Sequence, residues 1–474
     1  MFFRRFYDDG LAQASYLIGC DASGEAVVVD ANRDVGQYLS AAKAEGLRIT
    51  HVTETHIHAD FVSGSRELAK RAGATLLLSA EGGRDWQYTF AAGDGATLLH
   101  DGDAFHAGRV RFDVLHTPGH TPEHLMFLVT DLAASERPVG LLSGDCIFVG
   151  DVGRPDLLER AAKIANTMEE AAHTLFRSLR RIRDLPDFVQ LWPGHGAGSA
   201  CGKALGALPQ STIGYERIAN WGLTTLDEGA FVSEVLAGQP EPPVYFTEMK
   251  RINRDGPPFL GEWPQPALLE ERRLGAVLAD GGTVVDTRSA GAFAAGHAPG
   301  TLSVPLCKSF STWTGWLLPY GRDAYLIAAT QGDATCAARE MAKIGLDRVA
   351  GWFPVEALAI RTHEDRAALE RVAQATAAEI AARVTSGAVT VIDVRNASEW
   401  AHGHIPGALH IPVGHLSQRL SEIPRDRPVV VQCQGGTRSA IAASVLLSRG
   451  VRDVINLRGG YDEWTREALP VVHD

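Results

Sequence analysis

The feature that most constrains the fold of this 474-residue chain is a short motif of histidines and an aspartate, His56-Ile57-His58-Ala59-Asp60-Phe61. It follows an apolar and β-branched run around His51-Val52-Thr53, which predicts a strand that opens into a loop. Two imidazoles and a carboxylate this close together are costly to bury without a partner, and a metal ion supplies one. The motif therefore predicts a metal site at the end of a strand.

Three further polar motifs follow, each just after an apolar segment. They are His116-Thr117-Pro118-Gly119-His120, Ser143-Gly144-Asp145 and Pro193-Gly194-His195-Gly196. Strands of one sheet deliver the loops at their ends to a common edge, so these motifs are expected to meet the first one. Ordinary polarity at strand ends would not produce four such motifs in this order.

Together the four motifs resemble the metallo-β-lactamase superfamily, whose signature is HxHxDH followed by a distant His, Asp and His. The resemblance covers roughly the first half of the chain and implies an α/β fold, the αββα sandwich of that superfamily. One position departs from the signature, because Phe61 stands where the superfamily has a histidine that normally serves the second metal. Phenylalanine cannot coordinate a metal, so a hydrolytic site with two metals of the usual kind is not expected.

The remaining ligands resemble those of the persulfide dioxygenases of this superfamily, which use one iron. The resemblance assigns the iron ligands to His56, His120 and Asp145. Two imidazoles and one carboxylate with open positions form the facial triad of non-heme iron(II) oxygenases, so one Fe²⁺ per chain is expected. The other polar residues of the motifs would orient the ligands or the substrate: His58, Asp60 and His195.

Four residues are candidates for substrate binding from their position alone. Arg154 lies in a glycine-rich stretch one loop beyond Asp145, and either contacts a substrate carboxylate or pairs with Asp156. The other three follow the last histidine motif and would recognise the acidic ends of a glutathione-type thiol: Lys203, Tyr215 and Arg217.

The composition limits the class of protein. A chain of 474 residues predicts two to four domains, and its 45% hydrophobic and 22% charged content is typical of soluble globular proteins. A net charge of -12 and the lack of any Lys/Arg-rich block argue against nucleic acid as a partner. No apolar run is long enough to span a membrane, and acids stand where a signal peptide needs an apolar core, so a cytoplasmic location is expected. The six scattered cysteines form no CxxC pair, which favours single functional thiols in a reducing compartment.

The second half of the chain contains an internal repeat. Residues 286–306 align with residues 393–413 without a gap, and ten of the 21 positions are identical. Each unit is a strand ending in Asp, a short helix and a Gly-His-x-Pro-Gly turn into another strand. Both units resemble the rhodanese domain, which implies two α/β domains with parallel sheets wrapped by helices.

These patterns predict four segments. A metallo-β-lactamase-like domain covers residues 1–245, and a proline-rich linker covers 246–266. An inactive rhodanese-like domain then covers 267–370, and an active rhodanese domain covers 371–474.

Only the second repeat carries a nucleophile in the loop after its strand. The stretch Cys433-Gln434-Gly435-Gly436-Thr437-Arg438 looks like the active loop of rhodaneses, in which cysteine carries sulfane sulfur as a persulfide. Backbone N–H groups and a helix N-terminus at this point favour a thiolate, and Arg438 is expected to add a fixed positive charge. In the first repeat, Ala328 and Asp333 fall at the positions of Cys433 and Arg438, so that repeat should be catalytically silent.

The whole arrangement resembles fusions of a persulfide dioxygenase with rhodanese domains. It implies oxidation of a low-molecular-weight persulfide, that of glutathione or coenzyme A, by O2 to sulfite and thiol. Cys433 would then transfer sulfane sulfur, and sulfite as the acceptor would give thiosulfate, which amounts to sulfide detoxification. The family also implies a homo-oligomer.

Two other interpretations stay open. One is a zinc-dependent, glyoxalase II-like hydrolase with an attached sulfurtransferase. The other is a protein that senses sulfane sulfur or binds a partner. The carrier thiol, the direction of transfer at Cys433 and any channelling of sulfur between the sites are not determined by the sequence.

Overall fold

The apolar runs that precede the four motifs become strands of two six-stranded sheets. A computed structural model of the chain describes residues 1–160, 167–203, 205–359 and 369–473. With strands numbered along the chain, the sheet orders are β1-β2-β3-β4-β5-β6 and β12-β11-β10-β9-β8-β7. The first sheet contains Phe2–Asp8, Gln13–Cys20, Glu25–Val29, Arg48–Thr53, Thr75–Ser79 and Thr97–Leu99. The second contains Ala104–Ala107, Val110–His116, Leu125–Asp131, Gly140–Gly144, Gln190–Pro193 and Ser211–Thr212.

Alternation of side chains along the strands makes the two sheets pack face to face. Val27 and Val29 of β3 point into a core shared with Phe112 and Phe127 of the second sheet. Val28, between them, points to the opposite face, where it joins the core beneath helix Val35–Ala44. Because strand side chains have a period of two, each sheet buries one face against the other sheet and one face against helices. The predicted αββα sandwich is confirmed.

Helices cover the outer faces of both sheets. The helices of this first unit are Val35–Ala44, Ser65–Ala72, Ala91–Asp94, Leu157–Arg160, Met168–Arg183, Ile213–Ala219, Trp221–Thr224, Glu228–Leu236 and Phe246–Asp255, with a 3₁₀ turn at Arg84–Trp86. No helix in the described part of the chain is both long and apolar enough to cross a membrane.

The first unit extends beyond the predicted domain end at residue 245. The chain divides into one unit of Met1–Glu262 with Ala342–Gly345, and a second of Trp263–Met341 with Leu346–Asp474. The predicted linker thus begins with a helix, Phe246–Asp255, that belongs to the first unit. The buried residues Phe246, Met249 and Asn253 recur at helical spacing. The prolines that predicted a linker begin only at residue 257, after this helix has ended.

Asn253 ties this helix to the motif that carries the histidines. Its side-chain amide donates to the carbonyls of His58 at 2.8 Å and Phe61 at 2.7 Å. Its carbonyl oxygen accepts from the N–H of Ser63 at 2.9 Å. Because Asn253 is buried, these three backbone groups depend on it for hydrogen bonds.

The second unit contains two parallel sheets, in the orders β14-β13-β15-β16 and β17-β21-β20-β18-β19. Their strands are Thr283–Asp286, Leu302–Ser303, Ala324–Ala328, Val349–Pro354, Ala373–Ala375, Thr390–Asp393, Leu409–His410, Val429–Gln432 and Val454–Leu457. The helices are Arg273–Ala279, Ala290–Ala295, Phe310–Leu317, Gln331–Lys343, Ala377–Thr385, Ala397–Ala401, Thr437–Ser448 and Gly460–Arg466, with 3₁₀ turns at Val413–His415 and Leu420–Glu422. An α/β fold with parallel sheets is confirmed. The residue boundary at 370/371 stays a prediction.

The same contacts recur in both parallel sheets. Arg288 pairs with Asp286 and donates to the carbonyl of Gly296 at 2.9 Å. Arg395 pairs with Asp393 and donates to the carbonyl of Gly403 at 2.7 Å. Asp286 lies opposite Ile327, and Asp393 lies opposite Gln432. The next residues along those strands are therefore Ala328 and Cys433, as the sequence alignment of the repeats predicts.

We expect Asn253→Ala to destabilise the first unit by roughly 2–4 kcal/mol, since it leaves three backbone groups without their partner. The measurement is the free energy of unfolding from urea denaturation. Glu248→Ala, at a half-exposed position of the same helix that pairs with Arg251, is the matched control and should change stability by less than about 0.5 kcal/mol. Equal effects of the two substitutions would contradict this role for Asn253.

Candidate metal centre and cysteine loop

The four motifs meet at one edge of the two sheets. They lie at or within three residues of the ends of β4, β8, β10 and β11, which are Thr53, His116, Gly144 and Pro193. One potential ligand atom from each of His56, His120 and Asp145 lies within 4.8 Å of the others, and all three residues are buried. The predicted set of iron ligands is thus brought together.

Hydrogen bonds orient both histidines of this set. His56 Nδ1 lies 2.9 Å from Thr55 Oγ1, which itself donates to Asp30. His120 Nδ1 lies 3.2 Å from the carbonyl oxygen of Arg154. When each Nδ1–H is donated to these acceptors, the Nε2 atom of each ring carries a free lone pair. The Nε2 atoms of His56 and His120 lie 3.9 Å and 3.5 Å from Asp145 Oδ2. This is the tautomer that a metal-binding imidazole needs.

The donor set fits a cation. Both carboxylate oxygens of Asp145 are buried and find no hydrogen-bond donor among the described residues. Burial raises the pKa of Asp145 to about 6 and lowers that of His120 to about 3. His56 and His120 present lone pairs rather than hydrogen-bond donors to this buried carboxylate, and a metal ion between the three residues would satisfy all of them.

The residues predicted to orient ligands or substrate surround this set. His195 donates through Nδ1 to the carbonyl of Ala12 at 3.0 Å, and its Nε2 lies 3.3 Å from Asp60 Oδ2 and 3.5 Å from Asp145 Oδ2. Burial lowers the pKa of His195, but the charges of Asp145 and Asp60 outweigh it and raise that pKa overall.

His58 has the opposite orientation. Its Nε2 lies 3.1 Å from Asp30 Oδ1, whereas its buried Nδ1 has no hydrogen-bond partner in the described ranges. Burial lowers the pKa of His58, but the charge and hydrogen bond of Asp30 raise it to about 9. The ring of Phe61 is fully buried and lies 4.5 Å from the ring of His58. The position that the superfamily gives to a histidine is thus filled by a hydrocarbon side chain.

Asp30 and His124 also contact the site, although the sequence motifs predicted neither as part of it. Asp30 directly follows β3 in a left-handed conformation, φ 55°, and accepts from the Thr55 N–H at 2.7 Å as well as pairing with His58. His124 Nε2 accepts from the N–H of Asp145 at 3.1 Å, and its Nδ1 lies 2.9 Å from Thr117 Oγ1. A carboxylate that ends a buried strand was a usable signal for Asp30. The hydrogen bond between His124 and Asp145 joins residues 21 positions apart, so no local sequence pattern predicts it.

The first of the four substrate-binding candidates, Arg154, is occupied by protein contacts. Arg154 is fully buried, pairs with Asp156 through two hydrogen bonds of 2.8 and 2.7 Å, and donates to the carbonyls of Ala200 and Pro240. Of the two roles that the sequence left open for Arg154, buttressing the loop is the one that these contacts support, since no face of the guanidinium reaches solvent.

The other three candidates make no hydrogen bond or ion pair with the metal ligands among the residues that the structure describes. Lys203 Nζ donates to the carbonyl of Glu234 at 2.6 Å, and Arg217 pairs with Asp187. Tyr215 is 55% exposed on helix Ile213–Ala219. A role of these residues in substrate binding stays a prediction.

The cysteine loop lies at the end of β20 in the last sheet. Cys433 is buried, and its Sγ accepts from the Gly436 N–H at 3.1 Å. Gly436 has φ +102°, a conformation that favours glycine, and helix Thr437–Ser448 starts directly after it. The carbonyl of Cys433 accepts from the Tyr461 N–H at 2.8 Å. The predicted arrangement of a cysteine at a strand end facing a helix N-terminus is therefore present.

Arg438 does not present a free positive charge to Cys433. Its guanidinium makes two hydrogen bonds of 2.6 Å to the carboxylate oxygens of Glu399. Burial raises the pKa of Glu399, but this pairing outweighs it and lowers the pKa overall. The expected contribution of Arg438 to the thiolate is thus largely neutralised by a carboxylate that the local sequence of the loop does not contain.

The comparisons with known proteins agree with this architecture. Residues 8–195 match the family described as "Metallo-beta-lactamase superfamily", and residues 376–467 match the "Rhodanese-like domain" family. The crystal structure of a metallo-beta-lactamase from Staphylococcus aureus subsp. aureus COL is 40% identical, with a TM-score of 0.67 over 75% of this chain and 99% of that chain. The chain belongs to the metallo-β-lactamase superfamily and carries a rhodanese-like domain.

Two curated proteins are similar to its separate parts. A "Sulfurtransferase" from Allochromatium vinosum is 45% identical over 84 residues, which is 18% of this chain and 78% of that protein. A "Hydroxyacylglutathione hydrolase" from Methylococcus capsulatus is 33% identical over 180 residues, which is 38% of this chain and 60% of that protein.

We expect His120→Ala to reduce metal affinity by more than about 100-fold, because loss of a ligand should exceed the usual effect of losing an outer hydrogen-bond partner. Metal content of the purified protein, by inductively coupled plasma mass spectrometry, is the measurement. His173→Ala, a half-exposed histidine paired with Glu228, serves as the control and should keep its metal. A fully loaded His120→Ala protein would remove His120 from the ligand set.

Proposed function

We propose that the chain is a mononuclear iron persulfide dioxygenase coupled to a rhodanese-type sulfurtransferase. The observation that carries the proposal is the convergence of His56, His120 and Asp145, with Phe61 in place of the histidine of a second metal. Two imidazoles and one carboxylate match the facial triad of iron(II) oxygenases. The rhodanese-like domain on the same chain supports a sulfur substrate.

The proposed first reaction is RSSH + O2 + H2O → RSH + SO3²⁻ + 2H⁺. Bound iron(II) would supply the one-electron chemistry that O2 requires. His56, His120 and Asp145 would hold it, and Thr55 and the carbonyl of Arg154 keep the two imidazoles in the required tautomer. The three ligand residues are buried, which would limit the access of bulk water to the bound metal.

The proposed second reaction moves sulfane sulfur through Cys433. The Cys433 thiolate takes the outer sulfur of a persulfide, which releases the carrier thiol. Sulfite then attacks that sulfur, thiosulfate leaves and the thiolate is restored. The Gly436 N–H and the start of helix Thr437–Ser448 stabilise negative charge on Cys433 Sγ in both steps.

The proposal extends to partners and organisation. The carrier thiol is glutathione or coenzyme A, with O2 and sulfite as co-substrates, in a cytoplasmic homo-oligomer. We also propose that the repeat over residues 267–370 is a catalytically silent rhodanese-like domain, because Ala328 lies where the other sheet carries Cys433.

A hydrolase is the second candidate, and the hydroxyacylglutathione hydrolase relative favours it. Such an enzyme would bind zinc and cleave a glutathione thioester. Phe61 argues against a two-metal site of the usual composition. A third candidate, sensing of sulfane sulfur or partner binding, is best supported for the repeat that lacks a nucleophile.

The test is O2 consumption with glutathione persulfide, with metal analysis on the same sample. We expect O2 uptake, sulfite as product and about one iron per chain, which is the content of a single facial triad. Bound zinc, thioester hydrolysis and no O2 uptake would replace the proposal by the hydrolase. If iron is bound without O2 uptake, coenzyme A persulfide is tested next, and inactivity with both persulfides would overturn the proposal.

We expect Cys433→Ser to reduce thiosulfate formation by about three orders of magnitude or more, as for loss of a catalytic nucleophile. Thiosulfate and sulfite are measured by chromatography, and sulfite should accumulate while O2 uptake continues. Cys336→Ser, at an exposed cysteine, is the matched control. Loss of O2 uptake in Cys433→Ser would show that the two sites are obligately coupled.

A further inference from the structure

The cysteine loop, residues 433–438, contains one cation, Arg438, and that charge is already balanced. The guanidinium donates to both carboxylate oxygens of Glu399 at 2.6 Å. The two side chains are only 23% and 24% exposed, so solvent weakens their pairing less than at an open surface. Burial lowers the pKa of Arg438, but Glu399 and, to a smaller extent, Cys433 raise it overall. Arg438 thus interacts with charge on Cys433, and Glu399 offsets most of what it offers.

A second arginine at the loop is balanced in the same way. Arg395 donates to the side-chain oxygen of Gln434 at 3.1 Å and is paired with Asp393 at 2.7 Å. The side-chain amide of Gln434 in turn donates to the carboxylate of Asp462. Hydrogen bonds among the described residues therefore connect the loop, directly or through an arginine, to two arginines and three carboxylates. These side chains give Cys433 no net positive surroundings.

The carboxylate of Glu399 is held in place by its own helix as well. It accepts from the backbone N–H of Asn396 at 3.0 Å, and the Asn396 side chain accepts from the Glu399 N–H at 2.8 Å. This reciprocal capping box fixes Glu399 at the start of helix Ala397–Ala401. Burial raises the pKa of Glu399, but Arg438 lowers it overall, so the carboxylate is ionised at neutral pH. The negative charge beside Arg438 is therefore a preorganised part of the loop.

The charge at the loop bears on the choice of sulfur donor. Thiosulfate is a dianion, and it gives up its outer sulfur with loss of sulfite. A thiol persulfide carries at most one negative charge on its reacting sulfurs and releases a thiol. The Gly436 N–H and the start of helix Thr437–Ser448 stabilise one negative charge on sulfur. A dianion needs in addition a cation that is not already paired, because charge-assisted hydrogen bonds hold such groups.

We propose that Glu399 determines the donor specificity of the cysteine loop: it neutralises Arg438, so that Cys433 takes sulfur from thiol persulfides in preference to thiosulfate. In this step the Cys433 thiolate bonds to the outer sulfur of RSSH and the S–S bond breaks. The electron pair of that bond leaves with the carrier, which takes the proton and departs as RSH. The same loop binds the product thiosulfate weakly and releases it. The inference rests on the proposed sulfur transfer through Cys433 and adds the residue that selects the donor.

Loading of Cys433 in a single turnover tests the proposal. The full chain is mixed with thiosulfate or with glutathione persulfide under anaerobic conditions, so that the dioxygenase reaction does not consume the persulfide. The sulfur added to Cys433 is followed by mass spectrometry of the peptide that contains it. We expect the second-order rate constant with glutathione persulfide to exceed that with thiosulfate by at least about 10-fold, the effect of one missing hydrogen bond to a charged group.

Glu399→Gln removes the charge but keeps an oxygen for the Asn396 N–H, so the helix cap is retained. We expect the rate constant with thiosulfate to rise about 10-fold, and that with glutathione persulfide to change by less than about twofold. Glu422→Gln is the matched control and should change neither, since Glu422 makes the same double hydrogen bond with Arg419, at 2.7 and 2.6 Å, outside the loop. Unchanged or slower loading by thiosulfate in Glu399→Gln would overturn the proposal.

The Arg438→Gln background tests whether Glu399 acts through Arg438. With no arginine to release, Glu399→Gln should give a smaller gain with thiosulfate than it gives in the natural chain. An equal gain in both backgrounds would overturn this route. The salt dependence of the natural chain covers the case in which Glu399→Gln does not fold. Loading by thiosulfate should not slow as ionic strength rises, and a steep fall would reveal an unpaired cation and overturn the proposal.

Failure of this inference and failure of the proposed function give different results. If glutathione persulfide loads Cys433 and the donor preference is the same in Glu399→Gln, only the role of Glu399 is overturned. If thiosulfate, glutathione persulfide and coenzyme A persulfide all leave Cys433 of the natural chain without added sulfur, the proposed sulfur transfer fails, and the inference fails with it.

Discussion

The first unit is organised around the burial of imidazoles and carboxylates at one sheet edge. Ionised groups removed from water are costly unless each finds a partner, and this site meets the requirement in part with hydrogen bonds from the surrounding loops. Asp30 is central, because it accepts from Thr55 and pairs with His58. The carboxylate oxygens of Asp145 accept no hydrogen bond from the residues that the structure describes, and a bound metal ion would supply their missing partner.

Both chemical sites use the same property of a sheet, namely that side chains following a strand end are held by the strand but reach into a loop. Asp145 follows β10 directly, and Cys433 follows β20 directly. The surroundings then differ. In the metal-binding set, a buried carboxylate and two imidazole nitrogens face one another. Cys433 instead faces the N–H of Gly436 and the start of a helix. The first environment suits a cation, and the second suits an anionic sulfur.

Charged residues near both sites serve mainly to hold loops in place. Arg154 is fully buried against Asp156 and binds the carbonyl of Ala200. Arg438 is held by Glu399 and adds little net charge to the cysteine loop. A buried arginine with several acceptors loses little conformational freedom for each hydrogen bond, so it is well suited to fix a loop. From its position in the sequence alone, Arg154 was a candidate for substrate binding, and its contacts show that it holds a loop instead.

The sequence by itself determined the layered first fold, the order of the four motifs, the absence of a ligand at Phe61 and the contrast between Ala328 and Cys433. These follow from strand periodicity and from residue chemistry, which are local. The tertiary structure alone decided which nitrogen of each histidine is free, that His124 supports Asp145, that Asn253 holds the motif from a segment predicted as a linker, and that Glu399 pairs with Arg438. These depend on hydrogen bonds and contacts between residues far apart in the chain, and no local pattern encodes them.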